Sequence, residues 1–159
     1  MALISYGRGE YFVTADNAQT LRFSDEQLRA QGRVGQGVAT MALGKGTTVV
    51  SASYLDGKAM DLTSLLVVTR SGLGKKVSIS EYPQKGRATA GVVSSDLQEK
   101  DRVLLTMLLH EDDTLLVTWS GEKGEHTTAI RATALKALPR AHKGALIANG
   151  RIDAVLLLV

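Results

Sequence analysis

The feature that most constrains the fold is an internal repeat. Three stretches of the chain each read as an apolar strand, a turn, and a second strand: residues 10–27, 65–82 and 115–132. A connector rich in Gly, Arg and Lys follows each stretch, and the three connectors are centred on residues 31–37, 84–91 and 139–144. One glycine in each connector recurs at spacings of 54 and 53 residues: Gly37, Gly91 and Gly144. A period of about 50 residues is typical of propeller-like folds, in which each repeat forms one blade.

The strands themselves are predicted from short apolar runs. Runs of β-branched and apolar residues end at turn dipeptides such as Ser71-Gly72 and Asn149-Gly150. The chain has 2 prolines, so little interferes with strand pairing. The helical candidates, at residues 25–29 and 133–138, are one or two turns long. We therefore predict an all-β, propeller-like β-pinwheel of four-stranded blade repeats, with about three blade equivalents.

The repeat boundaries predict how these blades are divided. We expect a single domain over residues 1–159, with half blades at about 10–30 and 139–159 and whole repeats at 31–83 and 84–138. The last strand, AVLLLV, would be an aggregation-prone edge if unpaired. Its expected partner is the N-terminal half blade of the same chain or of another copy. Since four to eight blades close such rings, the isolated chain is expected to self-associate.

Composition narrows the function classes. No run of 18 apolar residues is present, the N-terminus MALISYGRGE is unlike a secretory signal, and there are 0 cysteines. These features predict a cytoplasmic protein without membrane association, and they exclude disulfides, thiolate zinc sites and cysteine nucleophiles.

Basic residues are concentrated in two places, although the net charge is only +3. Between residues 70 and 87, five basic residues face one acidic residue, and between 131 and 151 five basic residues face none. Residues 92–125 are acidic instead, with eight acidic and three basic residues. Basic clusters that recur in a repeat favour an electrostatic partner such as nucleic acid.

Residues 65–93, LLVVTRSGLGKKVSISEYPQKGRATAGVV, resemble the repeat in the C-terminal domain of the A subunit of DNA gyrase and of its topoisomerase IV counterpart. The matching elements are the T-x-x-G-x-G-K-K turn, the S-E-Y segment and the G-R-x-x-x-G-V connector. Weaker copies extend the resemblance from about residue 10 to 159. It implies a β-pinwheel whose basic rim wraps duplex DNA, in a nucleoid-associated, non-catalytic module of an ATP-dependent type II topoisomerase. The partner that it implies, besides DNA, is the remainder of a topoisomerase A subunit.

The expected DNA contacts are the basic residues of the repeated turns and connectors. Phosphate contacts of this kind gain affinity through counterion release and carry little sequence preference. The predicted set is Arg33, Arg70, Lys75, Lys76, Lys85, Arg87, Lys136, Arg140 and Lys143. The connector glycines either allow the backbone to approach a phosphate or are ordinary turn residues.

Two departures from the family pattern leave a second function open. The first connector, QGRVGQG at residues 31–37, keeps only part of the Gln-Arg-Arg-Gly-Gly-Lys-Gly box that accompanies wrapping. The family's rings also have five or six blades, against about three here. The alternative is a propeller-like protein-interaction scaffold that has lost DNA wrapping.

Other motifs predict no catalytic residue, cofactor or metal. The segment GKGTT at residues 44–48 lacks the spacing of a phosphate-binding loop, and there is no G-x-S-x-G elbow. Residues 110–113, His-Glu-Asp-Asp, are adjacent in the chain and are expected to form an acidic loop, because neighbours on a strand point to opposite faces. Tyr82 and Trp119 are predicted to pack within blades rather than to stack on bases.

Overall fold

The computed structural model describes residues 7–59 and 64–158. Within these ranges the chain forms eleven strands and three short 3-10 helices. The strands are β1 (Gly9–Ala15), β2 (Gln19–Ser24), β3 (Val49–Asp56), β4 (Ser64–Thr69), β5 (Leu73–Ser78), β6 (Val92–Val93), β7 (Val103–Leu109), β8 (Thr114–Gly121), β9 (Gly124–Arg131), β10 (Ala145–Leu146) and β11 (Arg151–Leu158). No helix in the described part of the chain is long and apolar enough to cross a membrane.

The strands form three antiparallel sheets. Sheet 1 has the order β3-β1-β2-β6, sheet 2 the order β7-β4-β5-β10, and sheet 3 the order β11-β8-β9. A hairpin lies at the centre of sheets 1 and 2, and a long strand from later in the chain flanks its first strand. In these two sheets the second strand of the hairpin is flanked by a two-residue strand, which comes just after the connector of the next repeat. The predicted all-β, propeller-like fold is confirmed.

The strands are grouped differently from the expected repeat boundaries. The hairpin at 10–30 is completed by β3 and β6, which come from the two repeats that follow it. The segment at 139–159 does not complete the N-terminal hairpin, because β11 pairs with β8, with Val155 opposite Val117. Each sheet thus ends after the long strand that follows a connector, and not at the connector itself. Pairing with the hairpin just before it closes a shorter loop, which costs less entropy.

Two apolar cores join the three sheets. The first lies between sheets 1 and 2 and contains Phe12, Leu65, Val67, Val77 and Tyr82. The second lies between sheets 2 and 3 and contains Leu66, Val68, Leu115, Val117 and Ile152. Because β4 supplies side chains to both cores, its apolar run is continuous rather than alternating. The buried Tyr82 ring packs edge-on against Phe12 at 5.9 Å, as its predicted packing role requires.

A third apolar cluster covers the other face of sheet 1. It contains Tyr11, Val13, Leu21, Phe23 and Met41, all from the first repeat. Three 3-10 turns, Asp25–Gln27, Ile79–Glu81 and Ala132–Ala134, follow the second strand of each hairpin. They replace the short helices predicted at 25–29 and 133–138, and they mark equivalent positions in the three repeats.

Candidate nucleic-acid interface

The second and third connectors lie along the outer edges of sheets 1 and 2. In sheet 1 the Lys85 N–H donates to the Arg22 carbonyl at 2.8 Å, and β6 then pairs with the start of β2. In sheet 2 the Lys76 N–H donates to the Lys136 carbonyl at 3.0 Å, the Leu138 N–H donates to the Lys76 carbonyl at 3.1 Å, and β10 pairs with β5. The basic connectors are therefore fixed to sheet edges.

Lys75, predicted as a DNA contact, lies inside the third connector. Its side chain is buried, and Nζ donates to the carbonyls of Pro139 and Arg140 at 2.8 Å each and of His142 at 2.5 Å. Burial lowers the pKa of Lys75 to about 8, so the ammonium still carries its proton at neutral pH. The connector loop folds around the Lys75 ammonium, which is buried and therefore cannot reach a phosphate.

Arg87 and Arg140 occupy equivalent positions and join successive connectors. Arg87 Nη1 donates to the carbonyl of Ala39, and Arg140 Nη1 donates to the carbonyl of Val93. Their backbone N–H groups are held as well, at 2.7 Å from Gln27 Oε1 and 2.8 Å from Glu81 Oε2, respectively. Both side chains are half-buried. Each arginine therefore clamps the backbone of the preceding connector, at Ala39 for Arg87 and at Val93 of β6 for Arg140.

Lys76 is engaged by the acidic loop between β7 and β8. Its Nζ lies 2.9 Å from both carboxylate oxygens of Glu111, and its side chain is only 12% exposed. In the same loop the Asp113 carboxylate accepts from the His110 N–H at 2.7 Å, which closes the turn. Within the described residues, no three His, Asp or Glu side chains are grouped to hold a metal ion.

Five of the predicted contacts are exposed. They lie in the connectors or, for Arg70, in the turn between β4 and β5. They are Arg33, Arg70, Lys85, Lys136 and Lys143. Lys85 Nζ is 3.3 Å from the Gly91 carbonyl, so its ammonium stays close to the loop that it belongs to. Lys85 lies at the outer edge of sheet 1, and Lys136 and Lys143 belong to the connector at the outer edge of sheet 2.

The glycine and arginine pattern of the connectors has a structural meaning that the sequence did not single out. Gly91 has a φ of +81°, and a Cβ there would overlap the Thr20 backbone on the neighbouring strand. Gly144 is packed in the same way, with its Cβ position 3.0 Å from the Gly74 nitrogen. The recurrence of Gly and Arg at equivalent positions of the repeat could have indicated this packing role from the sequence. Equivalent positions in a repeat have equivalent neighbours, so a residue type that recurs there is expected to make the same contact.

A family model matches this architecture. The model described as "DNA gyrase C-terminal domain, beta-propeller" matches residues 10–56 and 63–107. The chain belongs to the DNA gyrase C-terminal domain family. The DNA gyrase A subunit of Staphylococcus epidermidis is 32% identical over 120 residues, which cover 74% of this chain and 13% of that protein. The corresponding subunit of Deinococcus deserti is 38% identical over 93 residues, 57% of this chain and 11% of that protein.

Solved structures of this gyrase-type domain have the same fold. The crystal structure of the C-terminal domain of DNA topoisomerase IV matches with a TM-score of 0.85 and 23% identity, over 98% of this chain and 48% of that one. The E. coli ParC C-terminal domain matches with a TM-score of 0.75 and 19% identity, over 98% of this chain and 62% of that one. The chain thus spans about half the length of these domains and a small part of the full gyrase subunits.

Proposed function

We propose that this gyrase-type domain binds duplex DNA through the exposed basic residues on the outer edges of sheets 1 and 2, as a non-catalytic part of a type II topoisomerase A subunit. The observation that carries the proposal is the set of connector cations held at sheet edges by backbone hydrogen bonds. Two successive connectors carry such cations at positions of their own, and together these extend positive charge along a rim.

The charge distribution supports binding on one rim and not all round the molecule. The basic segment 131–151 supplies the exposed Lys136 and Lys143 beside sheet 2, and Lys85 lies beside sheet 1. The acidic segment 92–125 supplies β6, β7, β8 and the turn between β7 and β8, where the Glu111 carboxylate pairs with Lys76. Duplex DNA attracts such a basic edge through its phosphates, whereas an acidic face repels it.

The expected interaction is electrostatic and nearly independent of base sequence. The exposed cations are lysines and arginines on loops, which suit phosphate contacts rather than groove reading. If about five phosphates are neutralised, the logarithm of the binding constant falls with the logarithm of salt concentration at a slope of about −4.5. Bending the duplex along the rim costs on the order of 1 to 6 kcal/mol, which further contacts offset.

A fluorescence-anisotropy titration with a duplex of about 40 base pairs, repeated at several salt concentrations, tests this. The double variant Lys136→Glu, Lys143→Glu should weaken binding by more than tenfold and reduce the steepness of the salt slope by about 2. The matched control is Lys58→Glu, Lys100→Glu, which reverses two exposed lysines outside the connectors. Equal loss in both variants would place the site elsewhere. No binding at low salt would favour the protein-interaction scaffold instead.

A further inference from the structure

The two junctions between successive connectors and sheets are built alike. At each junction a glycine leads into a two-residue strand, which pairs with the hairpin of the preceding repeat. The strand β6 is followed by a further connector, and the arginine of that connector clamps it. The registers are equivalent, with Val92 opposite Thr20 in sheet 1 and Ala145 opposite Gly74 in sheet 2. The chain therefore contains two copies of one docking arrangement.

Sheet 3 has the receiving half of this arrangement without the inserted half. Within residues 7–59 and 64–158, β9 pairs only with β8, and six of its eight residues are exposed. Beside it lies a cleft of about 610 Å³, lined by Trp119, Gly121, His126 and Asn149 among others. An unpaired strand edge is a template for another strand.

The first connector has the inserted half without a receiver among the described residues. Gly37 is equivalent to Gly91 and has nearly the same φ, +78°, yet a Cβ at Gly37 would meet nothing within 4 Å. Val38, at the position of Val92, is exposed, and so is Arg33, at the position of the clamping Arg87. Val34 is 96% exposed. At Gly37 this segment thus has the backbone conformation of the docked Gly91, but in front of open space.

The outer faces of the first and last sheets are apolar as well. On sheet 1 a shallow groove lies between Tyr11, Phe23, Leu28 and Val49. On sheet 3, Leu156 pairs with Leu116, and Leu156 is 61% exposed on the face opposite the core. Inside the chain, sheets 1, 2 and 3 bury such faces against one another. If the outer face of sheet 1 packed against the outer face of sheet 3 of another copy, the contact would be of the same kind as the contacts between sheets within the chain.

We propose that two copies of the chain close head to tail, so that residues 29–40 of each copy lie along β9 of the other. The second copy is the occupant because one chain carries both halves of the junction. It also spans 48%, 50% and 62% of three solved domains with this fold, so two copies have about the length of one such domain or somewhat more. A two-fold arrangement makes both junctions identical and leaves no open end. This inference does not rest on DNA binding.

The equivalent positions fix the register of the junction. Thr127 precedes its 3-10 turn by the same interval as Thr20 and Gly74 precede theirs, so it is the equivalent receiving residue. Val38 should therefore lie opposite Thr127 of the second copy, as Val92 lies opposite Thr20. By the same equivalence, the Arg33 guanidinium should reach the Leu146 carbonyl of the second copy. The contact would correspond to the one that Arg140 makes with the Val93 carbonyl of β6.

Cysteine cross-linking of the double variant Val38→Cys, Thr127→Cys tests this register, since the chain has 0 cysteines of its own. Side chains directly opposite in a ladder are close enough to form a disulfide. Within one copy, Val38 lies in the connector between β2 and β3 of sheet 1 and Thr127 lies on β9 of sheet 3, with sheet 2 packed between these sheets. Oxidation should give a covalent dimer that a reducing agent dissolves. The control Val38→Cys, Thr128→Cys presents the second cysteine on the opposite face and should cross-link at least tenfold more slowly.

Light scattering of the unmodified chain, without DNA, provides a second readout. We expect a mass twice the 16.9 kDa of one chain at tens of micromolar. Leu156→Lys should raise the dimer dissociation constant at least tenfold, whereas Val93→Lys, another exposed apolar residue, should leave it unchanged. A monomer, a mass that grows beyond two copies, or equal cross-linking in both cysteine variants would each overturn the proposal. Because no DNA is present, failure of the DNA-binding proposal leaves these results unaffected.

Discussion

The first connector and the other two differ in their surroundings more than in their sequences. All three have an arginine four residues before a glycine: Arg33 and Gly37, Arg87 and Gly91, and Arg140 and Gly144. In the second and third connectors, the glycine packs against the backbone of the preceding sheet and the arginine clamps a carbonyl. In the first connector both residues face open space.

This comparison separates residues that join blades from residues that carry surface charge. A pattern that recurs at one place in every repeat has a role in the repeat junction, since that is the environment the repeats share. The exposed Lys85, Lys136 and Lys143 do not recur at equivalent positions. They belong to the surface of individual connectors. We therefore expect junction residues to affect stability and connector lysines to affect DNA binding.

The largest expected effect is at Lys75, which holds the third connector in place. Lys75→Met removes the donor for three carbonyls and should lower the free energy of unfolding by about 2–4 kcal/mol. Urea denaturation followed by circular dichroism measures this loss. Lys143→Met, an exposed lysine of the same connector, should change stability by less than about 0.5 kcal/mol. If the two variants unfold at the same urea concentration, the three hydrogen bonds do not stabilise the connector.

The next effect compares the two connector glycines with positive φ. Gly91→Ala brings both an unfavourable φ and an overlap with Thr20 of β2, so a loss of about 2–3 kcal/mol is expected. Gly37→Ala brings only the unfavourable φ, at about 1 kcal/mol. Thermal unfolding at a concentration where the chain is monomeric provides the measurement. Equal losses would mean that the backbone approach at Gly91 contributes nothing.

Much of the fold was predictable because apolar strands, turn dipeptides and the regular recurrence of the connectors can all be seen in the sequence. The apolar run of β4 predicted a buried strand, and it is buried on both faces. The division into blades was not predictable in the same way. The sequence does not state whether β11 pairs with β8 or with the first hairpin, and the shorter loop decided it.

The candidate site was predictable as a region but not residue by residue. Counting charges identified the connectors, and five of the nine predicted side chains are exposed, four of them in the connectors and Arg70 in the turn between β4 and β5. Lys75 and Lys76 are adjacent on β5, so their side chains point to opposite faces. One is buried among carbonyls and the other pairs with Glu111. Charge alone cannot distinguish a buried lysine from a solvated one, because the difference depends on a loop that is distant in the chain.

The smallest expected effect compares the three equivalent arginines. Arg140→Ala removes the donor to the Val93 carbonyl and should cost about 1–2 kcal/mol, and Arg87→Ala should cost a similar amount at Ala39. Arg33→Ala should change the stability of the monomer by less than about 0.5 kcal/mol, since the Arg33 side chain is exposed. Urea denaturation at low protein concentration measures all three. The same Arg33→Ala variant should dissociate more readily in light scattering, because the clamp acts only when a second copy is docked. A monomer that loses as much stability from Arg33→Ala as from Arg140→Ala would contradict the distinction between docked and undocked connectors.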